Sequence, residues 1–216
     1  APLGVRRGVT FEHDPRVAKR NRRFRLTGDV RASPALLVRT LSSFELMGRL
    51  DPTTGVLREL ATFAASSTSH ANLTHTVALP GFPFTPRDFL GLTGWKRLPS
   101  GTHLSVGRGV PTAAGEVPGL VRGETLEWGY EFVPVEGGGT KVTLLSQTDM
   151  RGWMPVPLIN AMVAPVLADW VRALERVALE ADAERHPAVT PGDECDGDGT
   201  GAEHALEVFH RAHDAA

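Results

Sequence analysis

Apolar and polar residues alternate in short runs along most of this chain, and the rhythm turns helical only twice. Val9 to His13 and Arg23 to Val30 alternate at period two and predict strands. Leu36, Leu37, Thr40, Leu41 and Phe44 then recur at helical spacing. They predict a helix over Pro34 to Leu46, with Ser33 as its N-cap and Pro34 in its first turn. It is expected to end near Gly48, with Asp51-Pro52 as a turn. Six alternating runs follow, Gly55–Ala64, Ser69–Leu79, Arg87–Leu98, His103–Val110, Gly119–Pro134 and Lys141–Met150. Turn residues separate them, and their order predicts one antiparallel meander. Gly137-Gly138-Gly139 falls between two strands, so it reads as a hairpin turn. It lacks the strand–loop–helix context of a phosphate cradle.

From Pro155 a long helix is predicted, with an apolar stripe running from Leu158 through Met162, Val166 and Trp170 to Val177. Asp169, Arg172, Glu175 and Arg176 fall largely on the opposite side. Pro165 interrupts the pattern and is expected to kink or break the helix, at a cost of about 3 kcal/mol. One apolar helix on a flat sheet would leave much of the sheet wet. A strongly curved sheet that grips the helix solves this and leaves room for a hollow. The fold class is therefore α+β.

Length supports one domain, assigned to residues 1–183, with 184–216 as an acidic Gly/Pro-rich tail. That tail reads as disordered, with a short helix over Glu203 to His213. A lone cysteine, Cys195, cannot form an internal disulfide, so no oxidising compartment is implied. No apolar run is long enough to span a bilayer, and APLGVRRGV lacks the apolar core of a signal peptide. The expected location is cytoplasmic, peripheral at membranes. A start without Met is what an excised domain or a trimmed product would be expected to show. Nine basic residues face three acidic ones up to Arg31, and ten acidic residues face two arginines from Glu180 onward. A basic start suits anionic headgroups or nucleic acid, but it also suits a solvated strand surface. The second reading is adopted, with no nucleic-acid partner. The eight histidines show no zinc-ligand spacing, so no metal and no cofactor are expected.

Several motifs run in a set order. Ser33-Pro34 opens the first helix and Asp51-Pro52 follows it. Pro86-Arg87-Asp88-Phe89 comes next, then Val121-Arg122-Gly123-Glu124 with Gly129-Tyr130, then Asp149 with Gly152-Trp153-Met154-Pro155. This order, over roughly residues 5 to 180, resembles the StAR-related lipid-transfer (START) family. The resemblance implies a helix-grip fold around one lipid. Two departures are specific. Leu50 stands where the family has Trp, and the N-terminal helix common in the family is absent from Pro2 to Gly8. Many members that hold phospholipid or sterol place an Arg six residues after the Arg of Arg-Asp-Phe, and some pair it with a Glu on the preceding strand. Here those positions are Thr93 and Thr74. A lone buried charge is costly, so losing both partners together is coherent. Two hydroxyls remain, suited to a neutral polar group. A neutral lipid such as a sterol, an isoprenoid or a glyceride is favoured.

The expected ligand-binding residues follow from this frame. Phe89, Thr93 and Trp95 share a strand face, with Gly91 leaving space. Thr74 and Arg122 would orient the polar end, and Trp128 and Tyr130 lie on the Gly-bearing strand. Phe82 and Phe84, in a Pro/Gly loop, would cap one end. Met154, Leu158, Met162, Val166 and Trp170 would face the lipid from the last helix. The ordinary alternative for each is plain core. Arg87 and Asp88 read as an ion pair or turn lock rather than a catalytic pair. The Gly107–Gly119 loop and the last helix would form the gate. Asn72-Leu73-Thr74 matches a glycosylation sequon but lies in a strand and is expected to be unused. The predicted partners are a lipid and, transiently, a membrane surface, for a monomeric, non-enzymatic protein. The alternative is an enzyme on the same fold, such as a polyketide cyclase or hydrolase-like relative. No nucleophile–base–orienter constellation supports it.

Overall fold

The structure, a computed structural model, describes residues 2–14, 22–51, 53–81, 84–110, 117–153 and 155–185; for residues 2–3, 64–65 and 156–164 it describes the backbone alone. The chain divides into two units, Ala1–Glu184 and Arg185–Ala216. The described elements belong to the first, apart from the final helical residue. The expected tail helix over Glu203 to His213 lies outside the described residues.

Ten strands form one sheet: β1 (Pro2–Arg6), β2 (Val9–His13), β3 (Phe24–Val30), β4 (Thr54–Ala65), β5 (Ser69–Ala78), β6 (Arg87–Arg97), β7 (His103–Gly109), β8 (Val121–Arg122), β9 (Glu124–Pro134) and β10 (Thr140–Asp149). Nine of them run in the order β1-β2-β3-β10-β9-β7-β6-β5-β4, and β8 pairs with β6. The expected meander is present from β4 to β10. The N-terminal strands extend it on the far side of β10. Helices α1 (Pro34–Ser42) and α2 (Phe44–Leu50) carry the chain from β3 to β4. The sheet is curved and mostly antiparallel, and it holds the C-terminal helix α3 (Val156–Arg185).

Pro2 to Arg6, where no helix is expected, forms a strand paired with β2. Two local expectations are corrected. The single helix over Pro34 to Leu46 is two helices. Ser33 caps the first through Leu36 N–H at 3.4 Å, and Ser43 adopts an extended backbone and caps a second through Leu46 N–H at 3.3 Å. A side chain that accepts from a backbone N–H three residues on, within the first turn, restarts the helix, which then runs past Gly48 to Leu50. The strand expected over Gly119–Pro134 breaks at Gly123. The residues before the break pair in parallel with β6, Arg87 opposite Val121 and Asp88 opposite Arg122. The Phe89 ring lies so close over Gly123 that a Cβ there would meet the ring carbons, which requires glycine at the break. Of the kink or break expected at Pro165, no break occurs: α3 runs as one helix through it.

The hairpin glycines behave as expected, with φ of 82°, 95° and 89° at Gly137, Gly138 and Gly139. The β4–β5 ladder is irregular at three places, leaving Gly55, Leu60 and Phe63 as extra residues. The core lies between the sheet and α3. Leu26, Phe132 and Val142 meet Leu37 from α1 and Val171 and Leu174 from α3, all essentially without exposure. The C-terminal half of α3 is tied down by charge. Arg7 pairs with Asp169 at 3.0 Å, Arg39 with Asp182 at 3.6 Å and Arg49 with Glu184 at 3.0 Å. Arg172 donates to the carbonyls of Arg7 and Asp29, both at 2.9 Å. Burial would raise the Glu175 carboxyl, but hydrogen bonds from Arg31 and Arg172 hold it below the ordinary value.

Candidate functional site

Strand alternation builds a cavity of about 350 Å³. One side comes from β5 through His70, Asn72, Thr74 and Thr76, every second residue. β6 adds Phe89, Gly91, Thr93 and Trp95 in the same rhythm. β9 and β10 supply Trp128, Tyr130, Leu144 and Ser146. Leu57 of β4, Ser105 and Arg108 of β7, Leu41, Phe44 and Met47 of the two short helices, and Leu167 and Trp170 of α3 also line it. The volume lies near the lower end of the range of about 300–1,000 Å³ usual for small-molecule sites.

Of the sequence-predicted residues, Thr74, Phe89, Thr93, Trp95, Trp128, Tyr130 and Trp170 line this cavity. Three others do not. Phe84 sits in the β5–β6 connection, away from the lining. Val166 is 55% exposed, turned from the cavity on α3. Arg122 is committed to Asp88, with Nε 3.0 Å from Oδ1 and Nη2 2.9 Å from Oδ2. Phe82 and Met154 lie outside the described residues, as do the side chains of Leu158 and Met162. Of the expected gate loop, residues 111–116 lie outside them too.

Two aromatic features shape the interior. Trp128, Tyr130 and Phe132 form a row. The first pair meets edge to face at 5.7 Å, and the second stacks at 5.2 Å. Trp128 folds over Gly107, where a Cβ would come within 2.6 Å of the indole Cε2, so only glycine admits that position. Trp170 of α3 donates its indole N–H to the Tyr130 hydroxyl, tying helix to sheet across the cavity. Burial pushes the Tyr130 phenol well above its ordinary value, so it stays protonated.

The polar wall differs from the one the sequence suggested. Thr74 and Thr93 both line the cavity, but neither hydroxyl has its proton free. Thr74 donates to the Gly91 carbonyl at 3.2 Å, and Thr93 donates to the amide oxygen of Asn72, its register partner. Asn72 in turn donates to Glu59 at 2.7 Å. The Asn72 hydrogen bond, then that from Thr62, holds the Glu59 carboxyl below its ordinary value against the effect of burial. His70 faces the same carboxylate at 3.6 Å. The wall thus presents oxygen lone pairs backed by an ionised carboxylate. None of Asn72, Glu59 and His70 is expected as a site residue from sequence, in which Asn72 figures only as part of a sequon. Period two places Asn72 and His70 on the face of Thr74, which was the available signal. The pairing with Thr93 is twenty-one residues away and left no local trace.

Of the two alternatives expected for Arg87 and Asp88, the structure fits the lock and not the mutual ion pair. Asp88, 1% exposed, binds Arg122 and also His75, whose Nε2 lies 3.0 Å away. Burial would raise its carboxyl, but Arg122 and then His75 hold it below the ordinary range. Arg87, equally buried, donates to the carbonyls of Thr85 and Met150. The two neighbours therefore lock separate strand connections rather than pairing with each other.

Comparison with known proteins accords with this architecture. The START domain family model matches residues 22–180. The chain is 31% identical over 117 residues to the mitochondrial steroidogenic acute regulatory protein of Gallus gallus, a match covering 50% of this chain and 41% of that relative. Among solved structures, human StAR-related lipid transfer protein 5 superposes with a TM-score of 0.73 at 19% identity, covering 84% of this chain and 87% of that one. Human STARD10 gives 0.75 at 17% identity, covering 88% and 78%. A STAR-related lipid transfer protein fragment from Xanthomonas axonopodis gives 0.66 at 18% identity, covering 82% and 97%. At these identities the structures speak to the fold alone. The family match spans most of the chain and agrees with the curved sheet, the gripped helix and the enclosed cavity: this chain belongs to the START domain family.

Proposed function

We propose that this domain is a non-enzymatic carrier that holds one neutral lipid bearing a hydroxyl group, of the sterol or isoprenoid-alcohol kind. The observation that carries the reading is the donor chain from Thr93 to Asn72 to Glu59. Because Thr74 and Thr93 already donate within the protein, they offer a ligand only lone pairs. A lipid alcohol can donate to these two oxygens, whereas a ketone or ester carbonyl has no proton to give them. The ionised Glu59 behind Asn72 disfavours an anionic headgroup at the same place. Aromatic and aliphatic walls supply the remaining affinity, about 25 cal/mol per Å² buried before ordering costs. The compact volume favours a ring system or one chain over a two-chain phospholipid. Glu59, held below its ordinary value, is poorly suited to acid–base chemistry near neutral pH, which also favours a carrier. Trp153, 75% exposed just before α3, would rest on a bilayer interface during exchange, a reading its exposure supports.

Native mass spectrometry of the protein purified from cells, followed by lipid extraction, tests this. The expected result is one hydroxyl-bearing neutral lipid per chain. A co-purifying phospholipid would overturn the headgroup argument while leaving a carrier. A protein that is empty and takes up no lipid from liposomes would overturn the carrier reading itself.

A further inference from the structure

A second cavity, of about 450 Å³, lies against the first, and Trp95 and Ser42 line both. Its chemistry is different. α1 contributes Arg39, the α1–α2 junction Ser43, the β4–β5 turn Ser67, and the β6 and β7 ends Arg97 and His103. No lining residue is acidic.

Three cationic or donor groups stand there incompletely satisfied. Arg39 approaches Asp182 of α3 only at 3.6 Å, and its Nε and Nη2 are buried without a hydrogen-bond acceptor. Buried donors are nearly always paired, so two on one guanidinium ask for a ligand. The Arg97 side chain has no carboxylate partner among the described residues, although its backbone N–H is used by Thr68. His103 is 8% exposed, and its Nδ1 lies 3.1 Å from the Gly101 carbonyl. That contact leaves Nε2 as the nitrogen available to a ligand.

We propose that this second cavity binds a phosphate monoester group. Two guanidiniums from separate elements match the charge of a dianion, and their forks suit its oxygens. With the imidazole and the serine hydroxyls, the donors exceed what the two oxygens of a carboxylate accept. The volume is far more than phosphate alone fills, and Ala35, Val38 and Trp95 give the remainder of the ligand an apolar seat. The group has two natural sources, a soluble phosphorylated small molecule or the headgroup of phosphatidic acid in a bilayer. This inference does not depend on which lipid fills the first cavity.

The test uses the full chain and two probes. Glycerol 3-phosphate is titrated calorimetrically, with acetate as control. Phosphatidylcholine vesicles with and without phosphatidic acid are used in sedimentation. The test variant is Arg97→Gln, whose side chain is exposed and makes no contact the fold needs. Arg39→Gln follows, its fold checked by thermal melting. Saturable binding of glycerol 3-phosphate, weakened at least about tenfold by Arg97→Gln and absent with acetate, is the expected result for a soluble source. Binding confined to vesicles containing phosphatidic acid, and lost in Arg97→Gln, assigns the bilayer source. No binding of either probe overturns the proposal. So does binding that Arg97→Gln leaves unchanged.

Discussion

Replacing Arg122 by Met should destabilise the domain most at neutral pH and least in acid. Asp88 is 1% exposed and receives two hydrogen bonds from Arg122, at 3.0 and 2.9 Å. Removing one partner of a buried pair leaves an uncompensated charge, typically about 3–5 kcal/mol. His75 keeps its own contact at 3.0 Å, so the lower end, about 3 kcal/mol, is expected. In a chain this long that is a drop in Tm of roughly 6–12 °C. The pH dependence identifies the cause. In the parent, the Asp88 carboxyl is held below its ordinary value. Its contribution is therefore present above the unfolded value of about 3.9 and is lost only as pH falls through the lower folded value. In Arg122→Met, burial dominates and raises the carboxyl instead. The penalty is then present at pH 7 and is relieved as Asp88 takes up a proton on acidification. The gap between parent and variant must narrow from pH 7 to pH 4. Calorimetric melting of both proteins across that range reads it directly. Adding Asp88→Asn to the variant should recover part of the loss at pH 7. A gap that stays constant with pH, or one below about 1 kcal/mol at pH 7, would refute the assignment of a buried charge pair.

Three further outcomes are expected. Trp153→Ala should lower sedimentation with liposomes while leaving the unfolding free energy within about ±0.5 kcal/mol of the parent, since the exposed indole packs on little; unchanged sedimentation would remove Trp153 from the membrane contact. Trp170→Phe removes the indole N–H from the Tyr130 hydroxyl and should cost about 0.5–1.5 kcal/mol in urea unfolding, with faster release of bound lipid; an unchanged midpoint would mean that the bond contributes nothing. Pro165→Ala restores a backbone hydrogen bond in α3, ahead of the half anchored from Asp169 onward, and should slow lipid loading and release from liposomes; parental rates would end the idea that Pro165 eases opening.

The elements legible in the sequence were those fixed by local rhythm. Period two located the strands of the meander and put Thr74, Phe89, Thr93 and Trp95 on one face without knowledge of the partners. Ser33-Pro34 marked the start of α1 because capping is a three-residue event. What failed was contact between distant residues. Ser43 restarting a helix looked like one more polar residue on a helix already begun. The Phe89 ring against Gly123, at the break after β8, depends on two strands meeting. Arg122 looked like a headgroup ligand until the parallel pairing set it beside Asp88. The hydroxyls of Thr74 and Thr93 were correctly placed but wrongly thought free, since their acceptors, Gly91 and Asn72, come from the neighbouring strands.

The three extra residues in β4 bear on something other than the ligand. β4 closes one end of the strand order and has β5 as its sheet neighbour, so its other backbone groups face outward. A long regular strand in that position is a template on which a second chain can add its own strand. Here Gly55, Leu60 and Phe63 each shift the register, and each shift redirects the outward row of N–H and C=O groups. A second copy could match only a few residues before losing step. The irregularity sets Leu60 and Phe63 in water, at 54% and 63% exposure. In exchange, it leaves the open end of the sheet a poor seed for self-association during the intervals when the cavity stands empty.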